Sequence, residues 1–152
     1  MRLSDHFSLS EFEVSNYAER HSIDNTASNV IIARLTDLAV NVLEPLRSKF
    51  GPLHISSGYR CEELNEGIGG ASSSQHMFGE AADVISHSVS EYELAKWAFE
   101  NIKEFDQCIY EGRWLHISYS TRHLNRKVPL TAIFKKGQPT RYMNGIVDLA
   151  NL

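Results

Sequence analysis

Through NVIIARLTDLAVNVLEPLRSKFG, the residues Ile31, Leu35, Leu38, Val42, Leu46 and Phe50 return at three- or four-residue steps. That spacing predicts a helix with one apolar stripe. Pro45 lies inside the run and lacks a backbone donor, so it predicts a kink or interruption, while Gly51 and Pro52 predict the end. Upstream, LSDHFSLSEFEVSNYAERH predicts another helix, with Ser8 or Ser10 as cap ahead of Glu11 and Glu13. At LHISSGYR the pattern shortens to a β-type run closed by Gly58. CEELNEGIGGASSS is polar and rich in Gly and Ser, which predicts a short helical turn and then loop. EAADVIS predicts the next strand. SVSEYELAKWAFENIKEF predicts a helix capped by Ser90, with Glu93 completing a capping box. DQCIYE, WLHISY and LTAIFKK alternate or run apolar in short pieces, as antiparallel strands do. The tail GQPTRYMNGIVDLANL names no element. Two helices followed by strands, with one helix between them, predict an α+β fold.

No repeat, low-complexity tract or linker divides the chain, and 152 residues suit a single domain over 1–152. Hydrophobic residues at 42% and charged residues at 22% are the proportions of an ordinary globular sequence. A net charge of −4 argues against a nucleic-acid binder that relies on a basic surface. MRLSDHFSLSEF has no long apolar stretch of the secretory kind, and no run approaches the length of a membrane span. The expectation is a chain cytoplasmic as synthesised. Cys61 and Cys108 cannot build a disulfide framework and are expected as free thiols.

The stretch SSSQHMFGEAADV sets His76 and Asp83 around Gly79 and two alanines. Further on, His116 lies within WLHISY, where strand alternation puts it on one face with Trp114 and Ser118, away from Leu115 and Ile117. Two imidazoles and a carboxylate would suit a Zn²⁺ site with a position left open for water, and equally a non-haem iron. The plainer readings are a hydrogen-bonded strand histidine, a turn-capping Asp83 and a simple turn at Gly79. Spacing alone does not choose between them.

SSGYRCEELNEGIGGASSSQHMFGEAADV, followed by IYEGRWLHISY, resembles the zinc-dependent D-Ala-D-Ala carboxypeptidase-like family of peptidoglycan peptidases. That family includes D,D- and L,D-carboxypeptidases and the L-alanyl-D-glutamate endopeptidases used by phages as endolysins. It shares its fold with the Hedgehog signalling domain. The ordered elements S-G-Y-R, N, G-G, S-x-H, G-x-A-x-D and W-x-H all occur here, and the resemblance extends over about residues 3–134, as in the smaller phage and prophage members.

The resemblance implies an antiparallel sheet with helices packed against it, and one Zn²⁺ per chain held by His76, Asp83 and His116. It implies that Arg60 contacts substrate and polarises the scissile carbonyl, and that Glu111 is the general base. Ser74 and Trp114 become candidates for substrate contact, while Asn65 and Gln75 are expected to brace the loop. Gly58, Gly69, Gly70 and Gly79 are expected at tight backbone passages. Cys61 and Cys108 are not expected as ligands, and His6, His21, His54, His87 and His123 are expected to be structural or surface residues. The implied partners are peptidoglycan stem peptides or muropeptides, met as a phage endolysin or as a cytoplasmic trimming enzyme. The competing readings are a non-catalytic zinc domain and a phage structural component that docks to the wall. Asp106, the next acid upstream, is the alternative base.

Overall fold

The computed structural model describes residues 1–151; residue 152, the last of the expected domain, lies outside the described residues. The N-terminal stretch forms two short helices rather than one, α1 (Leu9–Glu13) and α2 (Asn16–Arg20). Each has its own serine cap. At Ser8 the backbone N–H donates to the Glu11 carboxylate at 2.7 Å, and the Ser15 hydroxyl accepts from the Ala18 N–H at 3.1 Å. A serine that captures a backbone donor competes with helix continuation, so Ser15 restarts the chain in a new direction.

The striped segment forms α3 (Asn29–Leu38), a π-helical turn (Ala39–Leu43) and α4 (Glu44–Phe50). Leu35, Leu38, Val42 and Leu46 are fully buried along it. Pro45 does not break the helix. The missing donor coincides with a widened turn in which the Glu44 N–H reaches back to the Ala39 carbonyl. Gly51, at φ +82°, ends the run.

Six strands follow among the described residues: β1 (Leu53–Ser57), β2 (Ala81–Ser86), β3 (Gln107–Tyr110), β4 (Leu115–Ser118), β5 (Val128–Ile133) and β6 (Arg141–Asn144). They form one sheet in the order β1-β2-β4-β3-β5-β6. The sheet is antiparallel except where β5 runs parallel to β3, a pairing that local alternation does not encode. The tail, patternless in sequence, supplies β6. Between strands lie α5 (Glu62–Gly67) and α6 (Glu91–Asn101). The Ser90 hydroxyl accepts from the Glu93 N–H at 3.2 Å, the serine half of the expected box. α6 stops at Asn101 instead of continuing to Phe105, because Ile102 is extended and both Ile102 and Phe105 turn into the core.

The pleat separates the two faces of the central strands. Ala82 and Val84 of β2, Cys108 and Tyr110 of β3, and Leu115 and Ile117 of β4 join the helical core. Asp83, Ile109 and His116 alternate with them, and register makes Asp83 and His116 direct partners across β2 and β4. Their shared face is therefore a consequence of period two, and a one-residue slip of either strand would send its own member into the apolar core. No helix among the described residues is long and apolar enough to cross a membrane.

Candidate metal centre and its cleft

His76 reaches the site from a 3₁₀ turn, Gln75–Phe78, that precedes β2. The Ser74 hydroxyl caps this turn by accepting from the His76 N–H at 3.2 Å. Gly79 closes it in the left-handed region, φ +72°, where a Cβ would also press on Ile31. The chain thus turns sharply between His76 and β2 and delivers Asp83 to the same place.

His76 is buried, and its Nδ1 lies 2.7 Å from the Gly58 carbonyl. That carbonyl can only accept, so Nδ1 carries the proton and the Nε2 lone pair faces Asp83. His76 Nε2 and His116 Nδ1 stand 3.4 and 3.0 Å from Asp83 Oδ1. The three donor atoms lie within 4.8 Å of one another, close enough to hold one metal ion. Burial holds the His76 imidazole below its ordinary pKa, which favours the neutral form a ligand needs. The donor set of two imidazoles and one carboxylate fits a borderline-soft cation.

The cluster opens into a cleft of about 620 Å³, whose walls include Arg60, Ser74, Glu111 and Trp114. Arg60 Nε donates to Ser57 at 3.2 Å and Nη1 to Asn65 at 3.4 Å, and Nη2 lies 3.7 Å from Asp83 Oδ2. Asn65 is buried and donates to the Ala71 carbonyl at 2.8 Å, so it braces both the loop and the arginine. Gly70 is required beside it, since a Cβ there would fall 2.0 Å from Asn65 Oδ1. Gly58 serves a packing contact instead: a Cβ there would meet the Phe12 backbone.

Glu111 and Trp114 occupy the two ends of the β3–β4 turn, joined by a Glu111 N–H to Trp114 carbonyl bond of 3.1 Å. Trp114 Nε1 donates to the Glu111 carboxylate. Burial raises the Glu111 pKa, with the charge of His116 working against it. Asp106, the alternative base, is already taken up by an ion pair. It is fully buried and engaged by Arg126 through Nε at 2.9 Å and Nη2 at 2.8 Å.

The cysteines stay out of the centre. Cys61 Sγ caps α5 by accepting from the Leu64 N–H, and Cys108 is buried, its thiol pushed up to about 12. His6 pairs with Glu44, and His21 stacks on Tyr17. Residues that the sequence did not single out complete the cleft: Gln107, Arg122, Arg126 and Tyr142 line it, together with His123, which was expected to be structural or surface. Nothing local marks them: Gln107 begins β3, Arg122, His123 and Arg126 lie in the connection from β4 to β5, and Tyr142 arrives on β6.

An α+β sheet that gathers two imidazoles and a carboxylate on one open face, with a half-buried glutamate and arginine beside them, has the composition of a metallohydrolase centre. Residues 5–118 match the peptidase M15 family, and the chain belongs to that family. The match contains all of His76, Asp83, His116, Glu111 and Arg60. No curated protein matches the chain.

Proposed function

We propose that this protein is a single-domain zinc peptidase that hydrolyses a peptide bond in the stem or cross-bridge peptides of bacterial peptidoglycan. The reading is carried by the meeting of the three metal-donor atoms with Glu111 and Arg60 in one cleft. Membership of the peptidase M15 family supports it. A purely structural metal site would require neither a second carboxylate beside the ligands nor a cationic group in the cleft.

His76, Asp83 and His116 would hold the ion. When bound, Zn²⁺ supplies Lewis acidity that makes water a nucleophile near neutral pH and polarises a carbonyl. Glu111 accepts the proton of the attacking water at its carboxylate and returns it to the leaving amine as the carbon–nitrogen bond breaks. The Trp114 indole orients that carboxylate. Arg60, held by Ser57 and Asn65, donates to the carbonyl oxygen as negative charge develops on it. The Ser74 hydroxyl accepts from the His76 N–H and keeps its own proton for a substrate acceptor.

Purified protein loaded with zinc, incubated with peptidoglycan, should release fragments whose new termini mass spectrometry identifies. Loss of a C-terminal D-alanine would define a carboxypeptidase, and a new N-terminal D-glutamate an endopeptidase of the phage lytic type. Unchanged peptidoglycan with fully loaded protein would instead favour the non-catalytic or wall-docking reading.

A further inference from the structure

Two arginines on the cleft wall are held by acids buried beneath them. Glu80 and Asp106 are both fully buried. Arg122 grips Glu80 through Nε at 3.0 Å and Nη2 at 2.8 Å, and its guanidinium carbon lies 3.9 Å from the centre of the Phe78 ring. Arg126 grips Asp106 in the same bidentate manner. Gln75 joins the two pairs, donating to Asp106 at 3.0 Å and to Glu80 at 3.4 Å. Gln75 immediately precedes His76, so one side chain ties the arginine wall to the metal loop.

This network does more than hold charge inside the protein. Glu80 also accepts from Ser120 at 2.8 Å, and Asp106 from the Arg126 backbone N–H at 3.0 Å. Each carboxylate is thus fixed by several donors, and each guanidinium is held through Nε and Nη2 alone. Among the described residues, Nη1 of Arg122 and Nη1 of Arg126 bond nothing, although both side chains line the cleft. Fixed rotamers with spare donors are what preorganised anion recognition requires.

Position gives the cleft a polarity. Glu111 lies in the turn before β4, and Arg122 and Arg126 follow the other end of that strand, with His116 between. Both arginines lie beyond residues 5–118, the stretch that matches the family.

We propose that Arg122 and Arg126 form a carboxylate-binding subsite that selects and orients acidic stem peptides. Glu80, Asp106 and Gln75 are its positioning residues. The proposal rests on the peptidase reading of the cleft. Two carboxylates of a stem peptide share the required chemistry: the α-carboxylate of a γ-linked D-glutamate and the C-terminal carboxylate.

Calorimetric binding to the zinc-loaded Glu111→Gln protein separates recognition from turnover. The probes are the pentapeptide L-Ala-γ-D-Glu-L-Lys-D-Ala-D-Ala, its D-isoglutamine form and its C-terminal amide. Amidation of the recognised carboxylate should weaken binding about tenfold, the scale of one charge-assisted hydrogen bond. Arg122→Gln and Arg126→Gln should weaken binding of the acid form by a similar factor and leave that amide unchanged. The paired variants Glu80→Gln/Arg122→Gln and Asp106→Asn/Arg126→Gln remove each buried acid with its cation, and serve if the single variants do not fold. Equal affinity for all three peptides, or equal losses for acid and amide in the variants, would overturn the subsite. Cleavage of the pentapeptide by the native chain, assayed in parallel, tests the peptidase reading separately.

Discussion

Trp114 donates its indole N–H to the carboxylate of Glu111, and a backbone bond across the same turn ties the two residues together. A tryptophan at the end of a strand could have belonged to the core or to the cleft wall. Here it aims a carboxylate.

That relationship makes Glu111→Gln and Trp114→Phe a matched pair. Glu111→Gln keeps the shape but cannot accept a proton, so kcat should fall by about 10²–10⁴-fold with metal content unchanged. Trp114→Phe keeps the ring and loses the donor, so kcat should fall about tenfold with little change in KM. Steady-state kinetics on a defined muropeptide, with elemental analysis, checks both. A full-rate, metal-loaded Glu111→Gln protein would remove Glu111 from the mechanism.

Metal retention tests the three ligands independently of activity. His76→Ala and His116→Ala should each lose stoichiometric zinc. In the native protein, metal held at a hundredfold excess over its Kd should stabilise the fold by about 2.7 kcal/mol, and a chelator should reverse the rise in Tm. Variants that still bind one equivalent of zinc would refute the assignment.

Arg60→Ala should keep the metal and the fold, because Arg60 is not among the three donors and its hydrogen-bond partners Ser57 and Asn65 retain other contacts. Loss of its charge beside the developing oxyanion should lower kcat/KM by about 10²-fold. An unchanged kcat/KM would place Arg60 outside the reaction.

Acid should destabilise the arginine wall. Burial opposes the charges of Glu80 and Asp106, but hydrogen bonds from Arg122 and Ser120, and from Arg126, hold both carboxyls below their ordinary values. Unfolded Glu and Asp titrate at about 4.3 and 3.9, so the unfolded chain takes up protons first as pH falls. The stabilisation is complete above those values and is lost as pH drops through the folded-state pKa values. Thermal melts between about pH 7 and pH 3 should show a shallower decline in Arg122→Gln and Arg126→Gln than in the native protein. Parallel curves would contradict the linkage.

The parts of the candidate site carry local signals, although spacing alone did not select them and the family resemblance named them. The period-two pattern of WLHISY separates His116 from Leu115 and Ile117, and the turn around Gly79 brings Asp83 near His76 within a few residues. The helical stripe from Ile31 to Leu46 was equally plain, since 3.6-residue periodicity needs no distant partner. Registers and crossovers are different. Asp83 faces His116 through the pairing of β2 with β4, β5 turns parallel to β3, and the tail adds β6 with Tyr142 at the cleft. The buried partnerships of Glu80 with Arg122 and Asp106 with Arg126 also join residues far apart along the chain or in different elements. Long-range pairing is selected by the burial of whole faces and the satisfaction of buried charges, energies that exist only once the sheet has closed.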